Sequence, residues 1–192
     1  MFHEILTKRM ILRTLQPADA EAMFAYRSQP EVCKYQSWEP QSLQEVQSFI
    51  VNMANAEFDT VGWYQIGIAL QGDATLIGDC GIHILETDTR LAEIGITIAP
   101  ACQSKGYATE AMHAVLNLLF VDLCKHRVFA SVDPQNLPSM ALMERIGLRK
   151  EGQHIQSLWF KNKWVDDAIF AMLASEWHQL HSAMTAKRAD IC

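Results

Sequence analysis

The feature that most restricts the fold is a strand–loop–helix–strand succession in the second half of the chain. Residues 93–100, Glu93-Ile94-Gly95-Ile96-Thr97-Ile98-Ala99-Pro100, alternate as a strand does. The loop Gln103-Ser104-Lys105-Gly106-Tyr107-Ala108 follows, and residues 109–120 then carry apolar side chains at helical spacing. Residues 127–133 alternate again, with Val128, Ala130 and Val132 on one face. Two strands joined through a helix are expected to lie parallel, with a right-handed crossover. The loop therefore sits where a helix begins. Its N–H groups have no partner within the helix and carry the positive end of the helix dipole, which suits a phosphate or pyrophosphate. Gly106 lets the backbone approach a bulky anion, Ala108 keeps the next turn slim, and Lys105 adds a positive charge. An ordinary strand-to-helix turn has the same pattern. The loop carries neither the Gly-x-Gly-x-x-Gly of a dinucleotide fold nor the Gly-Lys-Ser/Thr of a P-loop.

Ahead of that succession, residues 6–15 read as a strand, and Pro17 opens a helix that Pro30 ends. Residues 31–41 read as an irregular stretch holding Tyr35 and Trp38. Ser42 with Glu45 three positions on fits a capping box, and Leu43, Val46, Phe49, Ile50 and Met53 follow at helical spacing. Three alternating runs, 63–70, 75–85 and 91–99, are separated by short polar turns and predict an antiparallel meander. Past residue 133, Asn136 is placed as an N-cap, Pro138 is tolerated in the first turn, and Gly147 is placed to stop the helix. Residues 158–173 read as a hairpin turning at Lys161-Asn162-Lys163, and the tail after Trp177 is polar enough to fray. The expected fold class is α/β, one domain over residues 1–180 followed by a polar tail over 181–192. Its central sheet is mixed but mostly antiparallel, flanked by about four helices.

Composition narrows the function classes. A chain of 192 residues, 49% hydrophobic and 20% charged, is ordinary for one domain with a full core. The net charge of −6 argues against nucleic acid as a partner and is mildly compatible with a cationic substrate. No apolar run approaches the roughly 20 residues of a membrane span, and Met1-Phe2-His3-Glu4 does not open a signal peptide. Cys33, Cys80, Cys102, Cys124 and Cys192 are scattered and odd in number, which reads as free thiols in a reducing, cytoplasmic setting. No clustered Cys or His suggests a metal.

Several motifs resemble those of the GNAT N-acetyltransferase superfamily. The loop at residues 103–108 resembles the family's Gln/Arg-x-x-Gly-x-Gly/Ala pyrophosphate loop for acetyl-CoA. Asn136-Leu137-Pro138-Ser139 through Gly147-Leu148 resembles the second signature, with Leu148 where Phe is usual. The opening Leu6-Thr7-Lys8-Arg9-Met10-Ile11-Leu12-Arg13 resembles the RimJ/RimL-like branch of ribosomal-protein and other N-terminal amine acetyltransferases. So does the ending, Glu151-Gly152, then Trp164-Val165-Asp166-Asp167-Ala168, then Ser175-Glu176-Trp177. One departure is His154-Ile155, where that branch often has an Arg shortly after Glu-Gly.

The resemblance implies a sheet splayed between the strand ending at Ile98 and the strand starting at Arg127. The pantetheine arm would lie in the split and pair with the backbone of Ile96 and Ile98, with the pyrophosphate on the N–H groups of Gln103, Ser104, Lys105, Gly106, Tyr107 and Ala108. Asn136 would hydrogen-bond the pantetheine, or act as a cap alone. Ser139 would protonate the leaving thiolate, or be an ordinary first-turn residue. Glu93, on the strand face of Gly95 and Thr97, is the candidate base, with a surface or ion-paired role as the alternative; His83 is the second candidate. Asp166 is expected to brace the hairpin, Tyr35 and Trp38 to line the acceptor pocket or simply pack, and Cys102 to be an incidental thiol. The implied activity is acetyl-CoA-dependent acetylation of a primary amine, with no metal. The leading acceptor is a protein or peptide N-terminus; the alternative is a small amine such as a polyamine, amino acid or aminoglycoside. A coenzyme A-binding sensor without catalysis is the competing class, and a homodimer is compatible with the sequence.

Overall fold

The structure is a computed structural model that describes residues 2–189. Among them, eight strands form one sheet, and six α-helices pack around it. The strand expected over 6–15 is two: β1 (Ile5–Leu6) and β2 (Met10–Thr14) pair antiparallel. Thr7 makes the turn, its N–H donating to the Met10 carbonyl at 2.9 Å and its hydroxyl accepting from the Met10 N–H at 3.0 Å. Alternation runs through this turn and so does not report it. α1 (Ala20–Arg27) follows. Pro30 then opens the short α2 (Pro30–Cys33), because its fixed φ suits a first helical position, so the stretch read as irregular begins with a helical turn. α3 (Leu43–Asn55) starts as expected, with the Ser42 hydroxyl accepting from the Glu45 N–H at 3.2 Å. The Glu45 carboxylate reaches back to the Gln41 N–H, at 2.9 Å, one residue before the cap.

β3 (Gly62–Leu70), β4 (Leu76–Ile84) and β5 (Leu91–Ile98) form the antiparallel meander. α4 (Tyr107–Asn117) then crosses to β6 (Arg127–Val132), which runs parallel to β5. α5 (Leu137–Arg145) is capped by Asn136 and stopped at Gly147, whose φ of +92° few side chains tolerate. The hairpin is longer than expected: β7 (Arg149–Phe160) and β8 (Lys163–Leu173) join through Lys161 and Asn162, both at positive φ. The sheet order is β1-β2-β3-β4-β5-β6-β8-β7, with β7 at the edge. α6 (Ala174–Ala189) carries the chain onward from β8. Trp177 anchors it, only 2% exposed and packed on Phe120 at 5.8 Å between ring centres, so the segment expected to fray continues as a helix. Residues 190–192 of the expected tail, Cys192 included, lie outside the described residues.

Strand alternation divides the burial between two clusters. On one face Ile66, Ile82, Ile94, Val128 and Phe170 pack with Met112 and Val115 of α4. Leu15, which follows β2, joins Met23 and Tyr26 of α1 and Val46 and Ile50 of α3 in a second, smaller cluster. Each fully buried side chain of this size contributes about 1.5–3 kcal/mol. α1 is further tied to β4 by Asp79, which is fully buried and accepts hydrogen bonds from Arg27, Tyr26 and Gln65. Among the described residues no helix is long and apolar enough to cross a membrane.

Candidate active site

The sheet opens at its middle. β5 and β6 pair only at Leu91–Arg127, Ala92–Val128 and Glu93–Phe129. Beyond Glu93, β5 keeps its partner β4 but loses β6. The Ala99 N–H donates to the Ile77 carbonyl at 2.8 Å, and the Leu85 N–H to the Leu91 carbonyl at 3.2 Å. Odd-numbered residues of β5 therefore direct their backbone groups at β4, and even-numbered ones, Ile96 and Ile98 among them, direct theirs into the split. Gln103 covers the far end, its side-chain amide donating to the Ile98 carbonyl at 2.9 Å. The edge left free has the form that takes an extended arm as an added strand.

At the wide end of the split lies the loop before α4. Gly106 stands at the N-cap with φ +79°, and Ser104 is also left-handed, at φ +59°. Gln103, Ser104, Lys105 and Gly106 are exposed, while Tyr107 and Ala108 are half-buried in the first turn. Lys105 folds back, its ammonium donating to the Ala101 carbonyl at 2.8 Å. A feature the sequence did not disclose is a strut from the β1–β2 turn. Arg9 donates through Nε to Glu110 at 2.7 Å and through Nη1 to the Lys105 carbonyl at 2.8 Å, and its guanidinium lies 4.5 Å from the Tyr107 ring centre. The Arg9 N–H and the Thr7 hydroxyl also donate to Glu110, at 2.8 and 2.7 Å. Burial pushes the Glu110 carboxyl up, but these bonds outweigh it and hold its pKa below the ordinary value. The negative charge of Glu110, one turn from an anion-suited loop, is thus neutralised by Arg9.

Past the end of β6, the Asn136 side-chain oxygen accepts from the Ser139 N–H at 3.3 Å, so the cap exists and its NH₂ group remains available. Ser139 is half-buried, and its hydroxyl has no hydrogen-bond partner among the described residues.

A row of side chains crosses the sheet face opposite α4. Cross-strand register sets Trp63 beside His83 and His83 beside Glu93. Trp63 stacks on His83 with ring centres 4.7 Å apart, and His83 Nδ1 lies 3.5 Å from Glu93 Oε2. That is an ion-pair distance rather than a hydrogen bond, and Nδ1 is buried without a hydrogen-bond partner. Burial raises the pKa of Glu93; His83 opposes the shift, and the charge of Asp167 adds to it. Asp167, buried on β8, accepts from the Ser131 hydroxyl at 2.6 Å. Gly81 and Gly95 pair next to this row, and a Cβ on Gly95 would meet nothing within 4 Å, so the floor beside Glu93 is open.

The remaining candidates divide. Tyr35 reaches the Gln135 carbonyl at 3.1 Å, beside Asn136. Trp38 stacks on Phe49 at 4.4 Å and packs on Arg27. Asp166 accepts from the Gln156 N–H at 2.9 Å and the Gln153 amide at 3.0 Å, bracing the bulge in β7. Cys102 is half-buried and packs against the core. Trp63, Ser131 and Asp167 were not foreseen; their only signal was period-two placement on the face of Glu93.

The pattern of the acetyltransferase (GNAT) domain family matches residues 9–149. An uncharacterized N-acetyltransferase of Bacillus subtilis, YnaD, is 31% identical over 91% of this chain and 99% of its own. The [ribosomal protein uS5]-alanine N-acetyltransferase of Escherichia coli is 30% identical over 44% of this chain and 43% of its own. A solved GNAT-family acetyltransferase from Bacillus anthracis superposes with a TM-score of 0.82 at 29% identity, covering 91% of this chain and 100% of the other.

Proposed function

Because this chain belongs to the GNAT acetyltransferase family, we propose that it acetylates the α-amine at the N-terminus of a protein or peptide, as the RimJ/RimL-like branch does. Acetyl-CoA-dependent N-acetyl transfer is the chemistry of the family and of this enzyme; the acceptor, the site residues and the mechanism are the proposed parts. The observation that carries the reading is the split itself. β5 and β6 part just past Glu93, leaving a free strand edge with an anion-suited loop at one end and a carboxylate at the other. The partial likeness to a ribosomal-protein alanine acetyltransferase supports a peptide acceptor.

In this reading the N–H groups of residues 103–108 hold the pyrophosphate, with Gly106 giving it room. Ile96 and Ile98 offer backbone groups to the pantetheine, and the Asn136 NH₂ holds it from the side of α5. Acetyl-CoA supplies an acetyl group already activated as a thioester. The residues then have to position a neutral amine and accept its proton. Glu93 stands where the strands part, and its raised pKa makes it a stronger base than an exposed carboxylate. As the C–N bond forms and the C–S bond breaks, the proton on nitrogen passes to Glu93. Ser139 donates its hydroxyl proton to the departing sulfur, and the proton held by Glu93 returns through water to the Ser139 oxygen.

Thioester consumption against peptides with varied N-termini, polyamines, amino acids and aminoglycosides, at matched pH, tests the acceptor. Peptides are expected to give the highest kcat/KM. A polyamine or aminoglycoside turned over as well as the best peptide would sink the peptide reading. Tight acetyl-CoA binding with no transfer to any amine would make the protein a sensor instead.

A further inference from the structure

The loop between α2 and α3 bridges the two halves of the split sheet. α1 packs on β4, yet Tyr35 donates to the Gln135 carbonyl between β6 and α5, at 3.1 Å. Lys161, at the tip of the β7–β8 hairpin, donates to the Cys33 carbonyl at 2.9 Å and pairs with Glu39 at 2.8 Å. Against this bridge lies a pocket of about 230 Å³ lined by Phe160 and by Lys34, Tyr35, Asp133, Gln135, Lys161 and Lys163. A drug-sized ligand needs roughly 300–1,000 Å³. The pocket therefore has room for one group of a larger molecule, not for a whole cofactor.

Its charge runs against that of the molecule. The chain carries −6, yet three lysines gather here around a single carboxylate, Asp133, one oxygen of which accepts the Gln135 N–H at 2.8 Å. Glu39 neutralises Lys161. The Lys34 ammonium lies 4.8 Å from the Tyr35 ring centre, and the Lys163 ammonium has no ion-pair or hydrogen-bond partner among the described residues. A positive surplus remains at the edge of the site, next in sequence to Asn136. Deeper in, the carboxylates of Glu93 and Asp167 leave a negative surplus on the same sheet face. Lys163, Asp167 and Ala171 share that face of β8, and Ala171 is level with Glu93 through Phe129, so Lys163 stands eight residues, about 26 Å along the strand, from the level of Glu93.

We propose that the lysine pocket receives an acidic side chain of the acceptor peptide, about four to seven residues from its N-terminus, while the α-amine lies at Glu93. The inference rests on the acetyltransferase reading above and deepens it. The separation exceeds the length of a free amino acid and is spanned by about five to eight residues of extended chain, the smaller number allowing for the reach of the lysine and acidic side chains. A polyamine would place a second cation among lysines.

The test uses the full chain with saturating acetyl-CoA and peptides that share a first residue but carry Asp/Glu, Ser or Lys at positions four to seven. Free amino acids and spermidine complete the panel. Acidic peptides are expected to exceed basic ones in kcat/KM by about tenfold, the size of two exposed ion pairs, and mostly through KM. The double variant Lys34→Glu/Lys163→Glu is expected to invert that order with unchanged melting temperature and unchanged KM for acetyl-CoA, and Lys34→Arg/Lys163→Arg to keep it. Equal use of acidic and basic peptides overturns the proposal, as does preferred use of free amino acids. So does a double variant that weakens acetyl-CoA but not its 3′-dephospho form, because the pocket would then serve the cofactor's phosphate. Calorimetry with the same peptides and coenzyme A reads the pocket without turnover. Charge-selective binding without any thioester consumption would support the pocket and overturn the acetyl-transfer reading alone.

Discussion

The proposed cofactor loop and the proposed acceptor groove flank the same split, yet they are built differently. The loop is six consecutive residues that present backbone N–H groups, held from outside by the Arg9 strut. The groove is a set of side chains, Trp63, His83, Glu93, Ser131 and Asp167, from five strands. In the loop, backbone conformation matters most and side-chain identity least; in the groove the order reverses. Changes on one side should therefore leave the other side's kinetics intact.

The largest expected effect is in the groove. Glu93→Gln keeps the shape and removes the proposed base, so kcat should fall by about 10²–10⁴-fold. Calorimetry should find the acetyl-CoA affinity unchanged; a parallel loss of affinity would break the division between the two sides. The loop counterpart is Gly106→Glu. A Cβ there would meet only Arg9 Nη2, at 3.4 Å, so the domain should still fold. The left-handed φ and the added negative charge should together weaken acetyl-CoA by about a hundredfold. Unchanged affinity would mean that the pyrophosphate lies elsewhere.

Arg9→Ala sharpens the comparison. Without the strut the loop loses its support and Glu110 regains an uncompensated charge. KM for acetyl-CoA should rise by about tenfold, the value of one or two charge-assisted hydrogen bonds, with the acceptor KM unchanged. S-acetylpantetheine has no diphosphate, and the variant should use it as well as the wild type does; an equal loss with both donors would reduce Arg9 to a stability role. The smallest effect is expected for Asp167→Asn. A base works only when ionised, so the raised pKa of Glu93 is expected to shift the acidic limb of kcat/KM upward from that of an exposed glutamate. Removing the Asp167 charge relieves part of that upward push, and the limb should move to lower pH. A limb that stays in place would show that burial alone governs Glu93.

The same contrast explains what was legible beforehand. The meander, the crossover through α4, the Asn136 cap and the Gly147 stop each follow from residues close in sequence. The division of residues 6–15 into β1 and β2 was hidden because Thr7 bends a chain whose apolar pattern does not break. The loop stood out because its residues are contiguous. His83 and Glu93 were seen singly, but their approach to 3.5 Å depends on the register of β4 against β5. Asp167 was one of two adjacent acids, and only the sheet shows that Asp166 braces β7 while Asp167 turns inward.

The amino-acid order by itself determined the elements, their succession and the place of an anion-suited loop, because hydrogen-bonding pattern and dipole are local properties of the backbone. Where β6 leaves β5, which side chains meet on the face of Glu93, and how three lysines gather beside Asp133 were decided only by the tertiary structure. Those depend on strand register and on contacts between segments more than a hundred residues apart, which no local pattern encodes.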